Sequence, residues 1–245
     1  MSLKAEYETE EQRIERETRV ARNKALYEKY GQWVLLRNVW TGKIDWDDPE
    51  VFDYSVYDEL PNGWAKAFGM EMIDELGQAI DKKPGLRDTY FTEQIKEKFG
   101  ALRWYDNGTT KEMQDIIGKY EHLSQNICIS CGRPDVGTTR GWITPQCEKC
   151  YGDSFHCRHM TEEEKHDAYI EEVGPMGEIK FYEEDDDFEE PVYEYYNRMA
   201  DTYTTRRYSP NGVTIDSVHY IKPTADKIRA KWNKEHPEDP VEIKE

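Results

Sequence analysis

Two CxxC pairs, Cys128-Ile129-Ser130-Cys131 and Cys147-Glu148-Lys149-Cys150, constrain this chain more than any other feature, and fifteen residues separate them. Two residues between thiolates let a tight turn aim both sulfurs at one point, and two such turns complete a tetrahedral four-sulfur shell around zinc. The stretch between the pairs carries Gly132, Pro134, Gly137, Gly141 and Pro145, the turn formers that the knuckles of a zinc ribbon need. Two disulfides or two redox CxxC motifs would also use paired cysteines. The spacing favours a structural zinc ion held by Cys128, Cys131, Cys147 and Cys150. Four thiolates leave no open coordination position, so the site predicts a fastener and not a catalyst.

The fifth cysteine, Cys157, leaves an odd number, which disfavours a secreted disulfide scaffold. The N-terminal MSLKAEYETEEQRIERE is too charged for a signal peptide, and no apolar run approaches a membrane span. A cytoplasmic, reducing compartment is expected. The formal net charge of −18 makes the chain a poor general nucleic-acid binder, since such affinity comes mostly from cations neutralising phosphates. The partners that suit an acidic surface are basic proteins, including those that themselves hold nucleic acid. Seventeen Tyr and seven Trp argue for a folded chain with contact surfaces, because disordered acidic chains are poor in aromatics.

The expected class is α+β: a small core of helices and a β-hairpin, a four-cysteine zinc ribbon, and an acidic C-terminal extension. Three segments are distinguished: a charged N-terminal helix with its connection (1–60), the core with the ribbon (61–152), and the extension (153–245). Residues 4–30 mix Glu and Arg at helical spacing, which fits a solvated helix or a docking lever. The run GQWVLLRNVW before Thr41-Gly42 predicts a strand and turn. After the turn formers Pro61-Asn62-Gly63, the apolar positions Trp64, Phe68, Met72, Ile73, Leu76 and Ile80 predict an amphipathic helix ending by Pro84-Gly85. Residues 89–105 predict two strands joined around Lys98-Phe99-Gly100, with a short helix over Glu93–Phe99 as the alternative. Lys111 to Gln125 returns to helical spacing and leads into the first CxxC. A hairpin around Ser209-Pro210-Asn211-Gly212, a helix from Pro223 to His236 and a frayed HPEDPVEIKE end complete the chain.

Within residues 61–152, Gly63-Trp64, Ala67-Phe68-Gly69, the segment Gln94-Ile95-Lys96-Glu97-Lys98-Phe99-Gly100-Ala101-Leu102-Arg103-Trp104-Tyr105 and the two CxxC pairs occur in that order. As a block, this resembles a functionally uncharacterised family of small phage and prophage proteins with the pattern IKEKFGxLRxY followed by CxxC and CxxC. The resemblance implies a virus-borne origin, hence a bacterial host cytoplasm, and a zinc-pinned core. It brings no activity and no catalytic residues. The N-terminal arm and everything beyond residue 152 depart from the family's short members.

Other groupings carry less. His156, Cys157 and His159 could form a second metal site, but two His and one Cys lack a fourth ligand. Lys96, Glu97, Lys98 and Arg103 lie near Phe99 and Trp104, as in surfaces that grip single strands. A hairpin with one buried and one solvated face is the simpler expectation. No GxSxG, HExxH, Walker or dinucleotide motif is present. Between Thr161 and Ala200, fifteen acids face three bases, which places two thirds of the chain's net negative charge there. Glu183, Glu184, Asp185, Asp186, Asp187, Glu189 and Glu190, with Tyr193 and Tyr196, form the candidate partner surface. Carboxylates so arrayed can imitate the phosphates of a nucleic acid, with aromatics as anchors; a solvated loop is the plainer alternative. The expected function is a non-enzymatic protein that binds and inhibits a host nucleic-acid-handling protein, with inhibition of a CRISPR effector as one form. A zinc-ribbon nucleic-acid-binding regulator, or an enzyme with an unrecognised site, are the other readings.

Overall fold

A computed structural model describes residues 8–38, 41–139, 143–152, 161–173, 196–197, 202–209 and 212–243. Its architecture is α+β, with helices packed around one apolar core and three small antiparallel sheets.

Helix α1 (Glu10–Tyr30) starts at a capping box in which Gln12 N–H donates to Thr9 Oγ1 and Thr9 N–H donates to Gln12 Oε1. Its first half is solvated, with Ile14 exposed, and its second half buries Asn23, Leu26 and Tyr30. Asn23 is the centre of a polar knot. Its amide donates to the Phe52 carbonyl and to Asp58, and Ser55 Oγ donates back to its carbonyl. A buried amide needs such partners, so the knot fixes α1 to the turn that opens α2 (Val56–Glu59).

Among the described residues after α1, the expected strand does not form. Gln32–Val34 form a tight 3₁₀ turn, and Leu35 makes a lone bridge to Ser55. Trp33, Val34 and Leu35 are buried in succession. A strand would turn alternate side chains outward, whereas the tight turn delivers all three to the core. The Thr41-Gly42 turn does form, with Gly42 N–H donating to the Asn38 carbonyl.

Asn62-Gly63, expected to be a turn, instead begins a helical run. Asn62–Trp64 is one α-turn, Ala65–Gly69 is π-helical, and Met70–Asp81 is helix α3. Trp64, Phe68, Met72, Ile73, Leu76 and Ile80 are all buried, as their spacing predicts. Strands β1 (Thr92–Lys98) and β2 (Ala101–Asp106) form the expected hairpin, with Ile95 opposite Trp104 and Lys98 opposite Ala101; the helical alternative is not adopted. Helix α4 (Lys111–Ser124) packs Tyr120 on Phe68 with ring centroids 5.2 Å apart.

Beyond α4 lie β3 (Gly137–Thr138), β4 (Pro145–Gln146) and α5 (Glu148–Gly152). Helix α6 (Glu162–Val173), absent from the sequence expectations, packs Tyr169 on Tyr151. The backbone of β5 (Tyr196–Asn197), β6 (Thr202–Ser209) and β7 (Gly212–Tyr220) forms a three-stranded sheet, which includes the expected hairpin. Helix α7 (Lys222–Glu235) closes the chain, and Ile221, Ala225 and Ile228 enter the same core as Trp33, Trp64 and Tyr120. The apolar core therefore draws on all three segments distinguished in the sequence.

The chain end is not frayed over its described residues. Trp232 Nε1 donates to the Asp239 carbonyl at 2.7 Å, and Asn233 exchanges two hydrogen bonds with the Val241 backbone. These bonds fold the end back along α7 and give its polar backbone partners that a free terminus would seek in water.

Candidate metal centre

The four cysteines come together because two different local structures present them. The first pair sits on a knuckle directly after α4. Cys128 N–H donates to the Arg133 carbonyl and Gly132 N–H donates to the Cys128 carbonyl, which closes the turn over Ile129–Cys131. In the second pair, Cys147 immediately precedes α5, whose first turn carries Cys150. Ile129 N–H donates to the Pro145 carbonyl at 2.9 Å and joins the two units. Cys128 and Cys147 are buried, while Cys131 and Cys150 are half-buried.

Their four sulfurs lie within 4.8 Å of one another, and Cys131 Sγ is 3.7 Å from Cys147 Sγ. A tetrahedral shell with metal–sulfur bonds of about 2.3 Å has edges of about 3.8 Å. The set can therefore hold a metal ion, and all four cysteines are free thiols. Their electrostatics point the same way. Contacts from Cys131, Cys147 and Cys150 push the Cys128 thiol far below its ordinary pKa. Facing Cys128 and Cys131 push the Cys147 and Cys150 thiols far up. Four sulfurs so close cannot all ionise unless a cation sits among them, so metal binding here would release protons.

Two clamps hold the knuckle, and only one left a trace in the sequence. On one side, Gly63 N–H donates to the Ile129 carbonyl and Trp64 Nε1 donates to the Ile127 carbonyl. A Cβ on residue 63 would lie 2.1 Å from the Cys128 carbonyl oxygen, so only glycine permits this approach. In the sequence Gly63 shows as part of the Pro61-Asn62-Gly63 turn signal, and this contact gives that glycine a physical reason.

On the other side, Arg229 of α7 is 2% exposed and makes a bidentate pair with Asp135 at 2.9 and 3.0 Å, with a further bond to Asp226. Asp135 holds a positive φ of 58°, which turns its carboxylate from the knuckle loop toward α7. Arg133 forms a similar fork on Asp239. Burial alone would lower the Arg133 pKa, but the Asp239 carboxylate keeps it raised. No sequence pattern announces these pairs, because Arg229 lies 94 residues from Asp135.

The structure thus brings together Cys128, Cys131, Cys147 and Cys150 as expected. Glu183, Glu184, Asp185, Asp186, Asp187, Glu189, Glu190 and Tyr193 lie outside the described residues, as do His156, Cys157 and His159. Tyr196 is on β5, with its backbone opposite Tyr203. Among the described residues, no other cluster of His, Cys, Asp and Glu could hold an ion, and no helix is long and apolar enough to cross a membrane.

No protein-family model, curated protein or solved structure matches this chain. Function has to be argued from its own surfaces. One of these is a described counterpart to the acidic–aromatic character expected near residue 190. Trp46 is 51% exposed on a loop where Asp45, Asp47 and Asp48 are also exposed. One edge of the indole rests on Tyr27, at 5.6 Å between centroids, and the backbone N–H groups of Asp47 and Glu50 donate to Asp45 and Asp48. The loop is therefore shaped from within, while its carboxylates and its ring remain open to contact.

Proposed function

We propose that this chain is a non-enzymatic, phage-borne binding protein. A structural zinc ion on Cys128, Cys131, Cys147 and Cys150 pins its scaffold, and an acidic–aromatic surface engages a basic, nucleic-acid-handling host protein. The observation that carries the reading is Trp46, half-exposed among three carboxylates. Exposed tryptophans are costly to leave in water and are over-represented among the residues that dominate protein interfaces. Surrounding carboxylates would speed the encounter with a basic groove and exclude acidic competitors. The acidic run 183–190 would extend the same chemistry. Inhibition of a defence complex that grips nucleic acid, such as a CRISPR effector, is one form this binding would take. A closed four-thiolate zinc shell supports a scaffold role, since it offers no site for a substrate.

Zinc is favoured over an iron–sulfur assembly because a single ion suffices for the four sulfurs as they stand. The test is capture from a bacterial lysate on the immobilised full chain, eluted by a salt gradient. A basic nucleic-acid-handling protein should elute late. Trp46→Ala should weaken its retention at least tenfold, as truncating an interface anchor does, and charge reversal of 183–190 should move elution to lower salt. Retention unchanged by both variants would remove the acidic-surface reading.

A further inference from the structure

The geometry points to a second surface of opposite character. We propose that the outer face of the β1–β2 hairpin binds single-stranded nucleic acid.

Strand alternation gives the hairpin two faces, although Ala101 on the outer one, opposite Lys98, is 2% exposed. Ile95, Leu102 and Trp104 face the core and are at most 5% exposed. The opposite face carries Lys96 paired across from Arg103, Gln94 paired across from Tyr105, and Lys98 next to the turn. Tyr105 is 39% exposed and Phe99 is 74% exposed. Lys96 Nζ stands 5.1 Å from the Tyr105 ring centre, and Lys98 Nζ stands 5.4 Å from the Phe99 ring centre. Lys96, Arg103 and Lys98 therefore lie between the Tyr105 ring and the Phe99 ring of the turn. Trp104 has no part in it, because its ring is buried and its Nε1 donates to the Tyr90 hydroxyl.

Phe99 is the unusual element. With Lys98 opposite Ala101, Phe99 and Gly100 form a two-residue turn, and both have positive φ, 52° and 76°. That is the type I′ turn, whose first position favours Asn or Gly and penalises a bulky side chain. Burial does not compensate, since Phe99 is the most exposed large apolar side chain among the described residues. A residue strained in backbone and unpacked in side chain fits a contact made only with a ligand.

The chemistry selects the ligand class. Lysines two positions apart on a strand, joined by Arg103, suit the repeated phosphates of a chain, and the two rings suit unpaired bases, whose faces stack on aromatics without sequence preference. A duplex keeps its base faces covered. An acidic peptide would satisfy the cations and leave the rings unused. Arg103 donates to the Leu102 carbonyl at 2.9 Å and stands 3.8 Å from Glu121, which leaves most of its guanidinium N–H groups for phosphate. The overall charge of −18 does not cancel the face, because at physiological salt fields are screened within about 8 Å, and the local cations set the potential there.

Fluorescence anisotropy of labelled oligothymidine and oligouridine, titrated with the zinc-loaded full chain, tests this. Binding should be present at about 50 mM salt, with a log–log salt slope of about −2 for three neutralised phosphates on a single strand. Phe99→Asn should weaken it about tenfold. This variant installs the residue the turn prefers, so its melting temperature should hold or rise and misfolding cannot explain the loss. Lys96→Gln with Lys98→Gln should flatten the salt slope. No binding, binding indifferent to both variants, or displacement of the oligonucleotide by polyglutamate at equal charge concentration would overturn the proposal. The last outcome would assign the face to an acidic polypeptide instead.

Discussion

The first cysteine knuckle and the β1–β2 turn are both tight turns that depend on glycine, yet their surroundings are opposite. The knuckle is gripped by Gly63 and Trp64 on one side and, through Asp135, by Arg229 on the other, and it bonds to β4 across the ribbon. The hairpin turn is held through Gly100, whose N–H donates to Glu97, while Phe99 beside it meets solvent. The difference teaches where to look for function. A turn whose groups are consumed by the fold is structural. A turn that keeps a strained ring and cations on its outer face has capacity left for a partner.

The largest way to break this comparison is to remove the metal. Chelation, or Cys128→Ser, should unfold the ribbon and loosen both the entry to α3 and α7, because structural metal sites of this kind contribute on the order of 10 kcal/mol. Native mass spectrometry should show one zinc per chain before treatment, and circular dichroism should show the collapse after it. A chain that melts identically with and without metal would refute the fastener role. Next in size is Arg229→Met. It removes the bidentate partner of the Asp135 carboxylate in a site where Arg229 was 2% exposed, and breaking such a pair costs about 3–5 kcal/mol. Arg229→Met combined with Asp135→Asn should recover most of that in denaturant melts, since it removes both charges of the pair.

Gly63→Ala should cost about 3 kcal/mol by forcing helix and knuckle apart. It should also slow metal uptake, measured by a chromogenic zinc competitor, while Gly108→Ala, which strains its own backbone at a φ of 127° but meets no atom within 4 Å, should leave uptake unchanged. The smallest expected effect is a pH dependence. The Lys29 ammonium, and then the Tyr30 hydroxyl at 2.5 Å, hold the Asp74 carboxyl below its ordinary pKa of 3.8. A depressed folded pKa means the stabilisation is complete above that ordinary value and is lost as the pH falls through the folded one. Urea midpoints of the native chain and Asp74→Asn should therefore converge below pH 3.8. Lys29 and Asp74 are both substantially exposed, so the gap at neutral pH should be slight.

Legibility in the sequence followed how local the determining forces were. The helix over Met70–Asp81 and the strands flanking Phe99-Gly100 were readable because their periods write the buried face into adjacent residues. Residues 33–35 misled, because three consecutive apolar residues fit a strand by composition, while the core takes all three at once through a tight turn. Helix α6 was hidden by its charge. The acids of residues 162–164 fall in the window counted only for its charge, yet Thr161 and Glu164 form a capping box, with bonds of 3.2 and 2.7 Å, that starts a helix there. The closing segment reads as frayed because it is a terminus, and its anchors are carbonyl and amide bonds to Trp232 and Asn233.

The sequence by itself determined the metal shell, since CxxC spacing is a property of four residues that need only a turn between them. It also determined the amphipathic helices and the hairpin. Tertiary structure alone decided what surrounds the shell. Gly63 must be glycine only once the Cys128 carbonyl lies where its Cβ would be, and Arg229 finds Asp135 only after α7 has packed across the core. It likewise decided which aromatics are spent: Trp104 is buried in the hairpin's inner face, whereas Phe99 and Trp46 are left outside. Alternation along a strand offers two faces of equal standing, and only the position of the core makes one of them the outside.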